Sequence, residues 1–597
     1  MTKQKQSTPE KGKKHNSPRP KETRKILWRL FGYLSSEKKL LVFVFLLIII
    51  SIFCNVGGSY MLRPIINDYI IPGNISGMFK MLGILAGIYV IGVLSNWLQA
   101  RILVKVGERT VAVLRLDLFS KMEMLPIKYF DTHQHGELMS RYTNDIDRVS
   151  DALTNTISDL LSNIFSLLGI FALMIYISPL LTLVTLTIIP LMFLVANIVI
   201  KKSRKYFEGQ QKALGAENGY IEEIITGQKV VKIFCYEKIA EEEFDVFNKD
   251  LQGKSEKAQL YSGMMMPLMQ NMNTLSFVFV TIVGALLAIF RGFDLGGLAA
   301  FLQYSRQFGR PINELANQYN SLQAAIAGAQ RIFEVIDQTP ETKYDTQTPV
   351  NPPDNIKGDI LIKDIHFGYN SDNEVLKGIS LHAQPGKKVA LVGSTGAGKT
   401  TIFNLLPRFY DIEKGEILID GISQQKLRRS DLRQTMALVL QDTHLFTGTV
   451  MENIRYGNLT ATDEEVTNAA KLAAAHSFIM RLPQGYQTEL KDDGSNLSQG
   501  QRQLLNIARA AIANPAILLL DEATSDVDTR TEILIQEGMD KLMEGRTSLI
   551  IAHRLSTVRN ADEILVIENG TIIERGNHQQ LLKEKGHYYE LYTGQFE

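Results

Sequence analysis

Residues Leu40 to Leu62 read LLVFVFLLIIISIFCNVGGSYML and carry no charge. A helix crosses a bilayer in roughly 20 apolar residues, and only a segment that satisfies its own backbone hydrogen bonds is stable there. The run predicts a membrane span. Four more of the same character follow, at about Met81 to Leu98, Ile157 to Ile177, Leu180 to Ile200 and Leu268 to Phe290. Leu295 to Leu315 is more polar, with Gln303, Arg306, Gln307 and Arg310. An even number of crossings needs it as a sixth span lining a polar cavity, because charge inside a bilayer turns toward a bundle interior or water. The competing reading has Arg306 and Arg310 below the membrane on a long helix.

Lys and Arg near the spans set orientation. They gather before Leu40, from Arg101 to Arg148 and from Lys201 to Lys257, whereas Arg63 to Lys80, Ser178 to Pro179 and Arg291 to Asp294 are short and poor in charge. Both termini are expected in the cytoplasm, on a multi-pass protein of the cell membrane. The basic tail, with no apolar core before Leu40, does not read as a cleavable signal peptide. Val111, Leu114, Leu118 and Met122 recur at helical spacing, so the spans are expected to continue as helices beyond the membrane. Ile26, Leu27, Leu30, Phe31 and Leu34 interleave with Arg24, Lys25 and Arg29, which suits either a helix lying on the inner membrane face or a helical start to the first span. Lys and Arg total 64 against 63 Asp and Glu, a net charge of +1 that offers no basic surplus for nucleic acid. Cys54 and Cys235 are the only cysteines, which excludes a disulfide framework.

After Ile336 the character changes. Pro340, Pro349, Pro352 and Pro353 in a polar stretch mark a linker. Short apolar runs, Ile360 to Ile365, Val389 to Val392, Ala437 to Leu440, Ile517 to Leu520, Ser548 to Ile551 and Ile564 to Ile567, then alternate with helix-like segments, the pattern of an α/β fold. The expected organisation is a basic tail with an amphipathic helix (1–39), a six-span helical transmembrane domain (40–336), a linker (337–357) and an α/β P-loop NTPase domain (358–597).

Gly393-Ser394-Thr395-Gly396-Ala397-Gly398-Lys399-Thr400 follows one apolar strand and precedes a helical run beginning at Thr401. Glycines let backbone N–H groups close around phosphate oxygens, the helix N-terminus adds positive potential, Lys399 reaches the β and γ phosphates and Thr400 serves Mg²⁺. ATP is the expected ligand. Ile517-Leu-Leu-Leu-Asp521-Glu522 is a strand ending in two carboxylates, suited to Mg²⁺ coordination by Asp521 and water activation by Glu522.

Between these elements stands Asn496-Leu497-Ser498-Gln499-Gly500-Gln501-Arg502-Gln503, and with it the chain resembles the ATP-binding cassette (ABC) family. The resemblance implies that Tyr369 stacks on adenine and that Thr401 belongs to the nucleotide site. It makes Gln441 the switch-loop glutamine, beside catalysis and Mg²⁺, and His553 the contact to the γ-phosphate. Leu497, Ser498, Gln499, Gly500 and Gln501 form a signature that covers the phosphates held by a second cassette, so a dimer is required. Asp528 fits the loop after Glu522, although Asp526-Val527 and Gln499 depart from the commoner Ala-Leu and Gly. Those departures resemble the intact-site subunit of heterodimeric bacterial exporters, with a homodimer as the alternative. Spans fused to a cassette resemble an exporter half that moves hydrophobic or amphipathic substrates, drugs or lipids. A siderophore-type importer on the same fold and a soluble cassette ATPase are the other readings.

The resemblance also makes Phe130 to Glu137 and Gly219 to Glu237 the short helices that touch the cassettes. His133 and His135 beside Asp131 and Glu137 use zinc-ligand residue types, but read as structural. Met264, Met265, Met266, Met269 and Met272 offer either an adaptable apolar wall or ordinary packing. Asp159 and Asn163 share a helix face and line a cavity or a helix contact.

Overall fold

The computed structural model describes residues 20–345, 349–350, 356–370, 373–522, 527–552 and 558–593. They fall into two compact units: the residues up to Ser120 with Gly136–Asp337, and Lys121–His135 with the residues from Gln338 onward.

The first unit is helical. Its principal helices are α1 (Pro20–Leu34), α2 (Lys38–Tyr60) and α3 (Ile75–Glu123). After α4 (Ile127–Thr132), which belongs to the second unit, come α5 (Ile157–Ile177), α6 (Pro179–Thr226) and α7 (Gln228–Ile233). α8 (Glu237–Gly263), α9 (Met265–Arg291) and α10 (Leu295–Ile336) complete it. Five stretches, Lys38–Ile70, Ile75–Glu123, His135–Ile177, Pro179–Thr226 and Glu237–Arg291, are long and apolar enough to cross a membrane. At 1.5 Å per residue α3 is about 74 Å long, against about 30 Å of hydrocarbon, so the helix extends well past a bilayer.

α10 falls short of that apolar measure because several of its polar groups serve other helices. Tyr304 Oη donates to Val56 O at 2.6 Å, and Gln307 Nε2 to Ser59 Oγ at 3.2 Å, both on α2. The Arg306 guanidinium lies 4.1 Å over the Phe277 ring of α9. Hydropathy counts these residues as polar, whereas in the bundle they are interhelical contacts. Asp159 is likewise a helix contact, accepting from Gln318 Nε2 of α10 at 3.1 Å.

A 3₁₀ turn, Ser35–Glu37, separates α1 from α2, so α1 is not the start of the first span. Its inward stripe is narrower than the sequence implies: Ile26, Leu30 and Leu34 are buried, while Trp28 and Phe31 are exposed. Arg29 anchors the helix, bonding Asp337 at 2.7 Å and lying 4.2 Å over the Phe333 ring.

The second unit is built on two principal sheets. β1 (Ile360–Phe367), β2 (Leu376–Ala383), β4 (Lys414–Ile419) and β5 (Ile422–Ser423) form an antiparallel sheet in the order β2-β1-β4-β5. β3 (Lys388–Val392), β6 (Met436–Val439), β9 (Ile517–Glu522), β10 (Thr547–Ala552), β11 (Glu563–Glu568) and β12 (Thr571–Gly576) form the central sheet in the order β12-β11-β3-β10-β9-β6, parallel except for β12. Gly448–Thr449 and Glu489–Leu490 pair as the short strands β7 and β8. The expected apolar runs all lie on strands. β2 and β4 escape a search for apolar runs because their sequences, such as LKGISLHA, mix buried positions with more exposed ones, and β12 has no buried position.

Side chains alternate across a strand. Val389, Leu391, Ile517, Leu519, Leu549 and Ile551 therefore pack into one core, with helix α11 (Lys399–Leu405) on that face. Ala390, Leu518, Leu520 and Ile550 pack into another, with α13 (Gln499–Ile512) and α14 (Thr529–Met543). α12 (Asp463–Leu472) packs on α13 in the same core.

The chain just beyond α11 ties the unit together. Arg408 and Arg429 are buried, and both bond the Asp411 carboxylate. Arg429 also reaches Asp345 and Glu341 O, and Arg433 bonds the Glu341 carboxylate. Glu341 N–H in turn donates to Met124 O at 2.7 Å. Removing one member of a buried ion network strands its partners, at a cost of about 3 kcal/mol. Arg429→Ala is expected to lower the thermal midpoint of the full chain in detergent by roughly 5–10 °C; an unchanged midpoint would show that the network adds nothing to stability.

Candidate functional site

Parallel strands leave a crevice at their carboxyl ends, and several of the sequence-predicted residues lie along that edge. Pairing runs Leu391 to Ile551 across β3 and β10, Ile551 to Asp521 and Ala552 to Glu522 across β10 and β9, and Val439 to Leu520 across β9 and β6. The loop after β3, the carboxylate end of β9 and the chain leaving β6 toward Gln441 therefore share one edge. Glu522 ends its strand; its side chain, His553 and Ser525-Asp526 lie outside the described residues.

The loop needs its glycines for space. Gly393 has φ 151°, and a Cβ there would stand 2.0 Å from Ile567 O. Gly398 has φ 104°, with the corresponding Cβ 2.7 Å from Leu376 Cδ2. Ser394, Thr395, Gly396 and Thr400 are exposed, while Ala397, Gly398 and Lys399 are buried. Lys399 Nζ folds onto its own loop, donating to Gly393 O at 2.7 Å and Ser394 O at 2.9 Å. Burial pushes its ammonium below the ordinary lysine range, and the Asp521 carboxylate partly opposes this. A buried cation whose partners among the described residues are loop carbonyls and one carboxylate is suited to a polyanion. The oxygen donors nearby, the exposed Thr400 hydroxyl and Gln441 amide with the Asp521 carboxylate, are the hard ligands that Mg²⁺ takes.

Tyr369 follows β1 and leans on α11. Its hydroxyl donates to Thr401 Oγ1 at 3.2 Å and accepts from Asn404 Nδ2 at 3.1 Å. Edge-on against its ring, with centroids 5.0 Å apart, lies Tyr410. Tyr410 in turn donates its hydroxyl to Asp131 of α4, and burial followed by that carboxylate raises the phenol above its ordinary range. Tyr410 and Asn404 were not singled out from the sequence; their only signal is proximity to the phosphate loop. The expected contact near Phe130 to Glu137 thus rests on Asp131. His133 is engaged elsewhere, bonding Tyr129 O at 2.8 Å and stacking on the Tyr129 ring.

The signature occupies the other face of the sheet. Ser498 caps α13: its hydroxyl accepts from Gln501 N–H at 3.3 Å, and Gln501 Oε1 accepts from Ser498 N–H at 3.0 Å. The helix therefore opens at Gln499, ahead of Gly500. Leu497 is buried, and Gly500 has no room for a side chain, since a Cβ would stand 2.4 Å from Thr531 Cγ2. Asp528 caps α14, accepting from Thr531 N–H at 3.0 Å, and these bonds hold its carboxyl below the usual range. Among the described residues no hydrogen bond joins 497–501 to 393–401. A link that the sequence reading missed joins the signature helix to the switch-loop segment: Thr443 Oγ1 donates to Gln503 Oε1 at 2.6 Å.

The family model described as "ABC transporter transmembrane region" matches residues 41–312, and the one described as "ABC transporter" matches residues 376–525. An uncharacterized ABC transporter ATP-binding protein of Bacillus subtilis, YfiC, is 46% identical over 577 residues, covering 97% of this chain and 95% of the relative. The chain belongs to the ABC transporter family. Its membrane region fused to one cassette makes it an exporter-type half-transporter, in which ATP hydrolysis is coupled to transport. This ABC protein is also similar to a fatty acid ABC transporter ATP-binding/permease protein of Mycobacterium bovis, 42% identical over 87% of this chain and 83% of the relative. A third relative, an ATP-dependent lipid A-core flippase of Syntrophus aciditrophicus, is 35% identical over 90% of this chain and 89% of its own length.

Because Gly393 lacks space for a Cβ, Gly393→Val is expected to weaken ATP binding at least about tenfold, read by titration with a fluorescent ATP analogue. Wild-type affinity would mean that the loop does not hold phosphate in this conformation.

Proposed function

We propose that the chain is one half of a dimeric exporter that drives hydrophobic or amphipathic substrates, drugs or lipids, out across the cell membrane by alternating access, with both termini in the cytoplasm. The observation that carries this is the separation of the phosphate loop and the signature onto opposite faces of one sheet. A site that needs both draws the signature from a second cassette. There, Ser498 and the N-terminus of α13 face the phosphates of the partner's ATP, using helix potential against anionic charge. The exposed apolar side chains Val230, Ile233 and Phe234 at α7, within the Gly219 to Glu237 segment, supply a further surface for a partner to cover. A companion half with a degenerate site is favoured by Gln499 and the Asp526-Val527-Asp528-Thr529-Arg530 run.

In the composite site built on this chain's phosphate loop, Tyr369 stacks on adenine and the loop from Gly393 to Thr401 wraps the phosphates. Lys399 leaves its loop carbonyls for the β and γ oxygens. Thr400, Asp521 and Gln441 would hold Mg²⁺, which would supply neutralisation of phosphate charge. Glu522 orients and deprotonates the attacking water, with His553 at the γ-phosphate. Thr443–Gln503 couples Gln441 to the signature helix, and Tyr410–Asp131 carries loop movement to α4. The relatives named for a fatty acid and for lipid A-core support a lipid-like substrate.

ATP-dependent dye movement in inside-out vesicles tests the reading. Glu522→Gln is expected to retain ATP binding and lose at least about a hundredfold in transport, the lower range for a general base; wild-type transport in this variant would remove Glu522 from catalysis. Lys399→Ala is expected to lose nucleotide binding as well, and its retention would remove Lys399 from the site. Dye driven in the opposite sense would favour the importer reading.

A further inference from the structure

Helices α6, α9 and α10 enclose a cavity of about 240 Å³. Met192, Met265 and Met269 line it, with the polar residues Thr185, Asn197, Asn273, Ser276 and Ser305. Among the described residues, no ionisable side chain does. Two features mark it as built rather than left over. Ser305 is 8% exposed, and its hydroxyl has no hydrogen-bond partner among the described residues. A buried hydroxyl without a partner is unfavourable unless something else completes it. Thr185 on the same wall, by contrast, bonds Leu181 O at 3.0 Å. Gly309 is the second feature: a Cβ there would stand 2.9 Å from Asn273 Oδ1, so the missing side chain makes room for that amide.

Ser305 lies roughly 15 Å along α10 from Leu295, and Ser276 roughly 22 Å along α9 from Arg291, depths that fall inside a hydrocarbon layer of about 30 Å. An anion or cation entering here would shed its hydration and find no counter-charge. Hydroxyls and amides instead match a neutral group that both donates and accepts, and thioethers adapt to its shape. The volume is just below the range of about 300–1,000 Å³ typical of whole-ligand sites, so it suits a small headgroup. A larger hollow of about 830 Å³ beside Pro190 shares Ile189 and Asn197 with the cavity and continues along Leu194 and Ile198, with Lys201 on its wall.

We propose that the cavity takes the uncharged glycerol-ester head of a monoacylglycerol-like amphiphile, with the acyl chain in the adjoining hollow. This deepens the exporter reading and rests on it for transport, but binding itself needs no turnover.

The test is photolabelling of the full-length chain in lipid vesicles with a diazirine-bearing monoacylglycerol. Unlabelled monoacylglycerol and the fatty acid of equal length compete at pH 9, where the carboxyl is ionised. Label is expected on 185–200 or 265–312, with the monoacylglycerol competing at a concentration at least about tenfold below the fatty acid. Ser305→Ala is expected to raise that concentration about fivefold, one hydrogen bond's worth, with recovery in Ser305→Thr. Asn273→Leu gives a second, independent shift. Equal or better competition by the fatty acid, above all if lost in Lys201→Gln, overturns the proposal, as does labelling that neither variant changes. Labelling as expected together with ATP-driven movement in the opposite sense leaves the site standing and removes the exporter reading; export without such labelling removes the site alone.

Discussion

Alternation of side chains along the central parallel strands governs the ATPase half of this molecule. Because successive residues of β3, β9 and β10 point to opposite faces, each strand feeds two cores at once. One core seats the helix that follows the phosphate loop, and the other seats the helix that the signature opens. The strand ends can present phosphate-binding and carboxylate groups together, but they cannot bring the signature around to the same side. This separation is what the proposed dimer rests on, in which each cassette lends its signature to the other's phosphate loop.

The segment just after α11 concentrates the remaining connections. Arg408, Tyr410 and Asp411 follow the phosphate-loop helix within a few residues, and through them the loop reaches Asp131 on α4 and the carboxylates of Glu341 and Asp345 by way of Arg429 and Arg433. Buried charges of this kind are stable only with complete partners. Tyr369 and Tyr410 meet edge to face, which puts Tyr369 in contact with the same path.

In the helical unit, polar groups hold helices together where apolar contact with lipid would cost nothing to exchange. Tyr304, Gln307, Gln318 and Arg306 of α10 each meet another helix. The same helix contributes Ser305, whose hydroxyl is buried without such a partner, and that contrast with its neighbours sets the cavity apart.

The sequence by itself determined the elements whose signal is local. Uncharged runs such as Leu40 to Leu62 must be helices in lipid. Gly393 to Thr400 after an apolar strand reads as a phosphate loop, because spacing and backbone freedom are written into consecutive residues. Asp521 and Glu522 were legible as a strand end, and Ser498 as part of a motif. Tertiary structure decided what depends on residues distant in sequence: that the signature sits on the opposite face from the loop, that Ser498 caps its helix at Gln499, that Tyr410 meets Asp131, and that Thr443 meets Gln503. It also decided that α10 turns its polar groups toward α2 and α9, and that only Met265 and Met269 of the methionine cluster reach the cavity. Periodicity tells which residues share a face; only packing tells what that face meets.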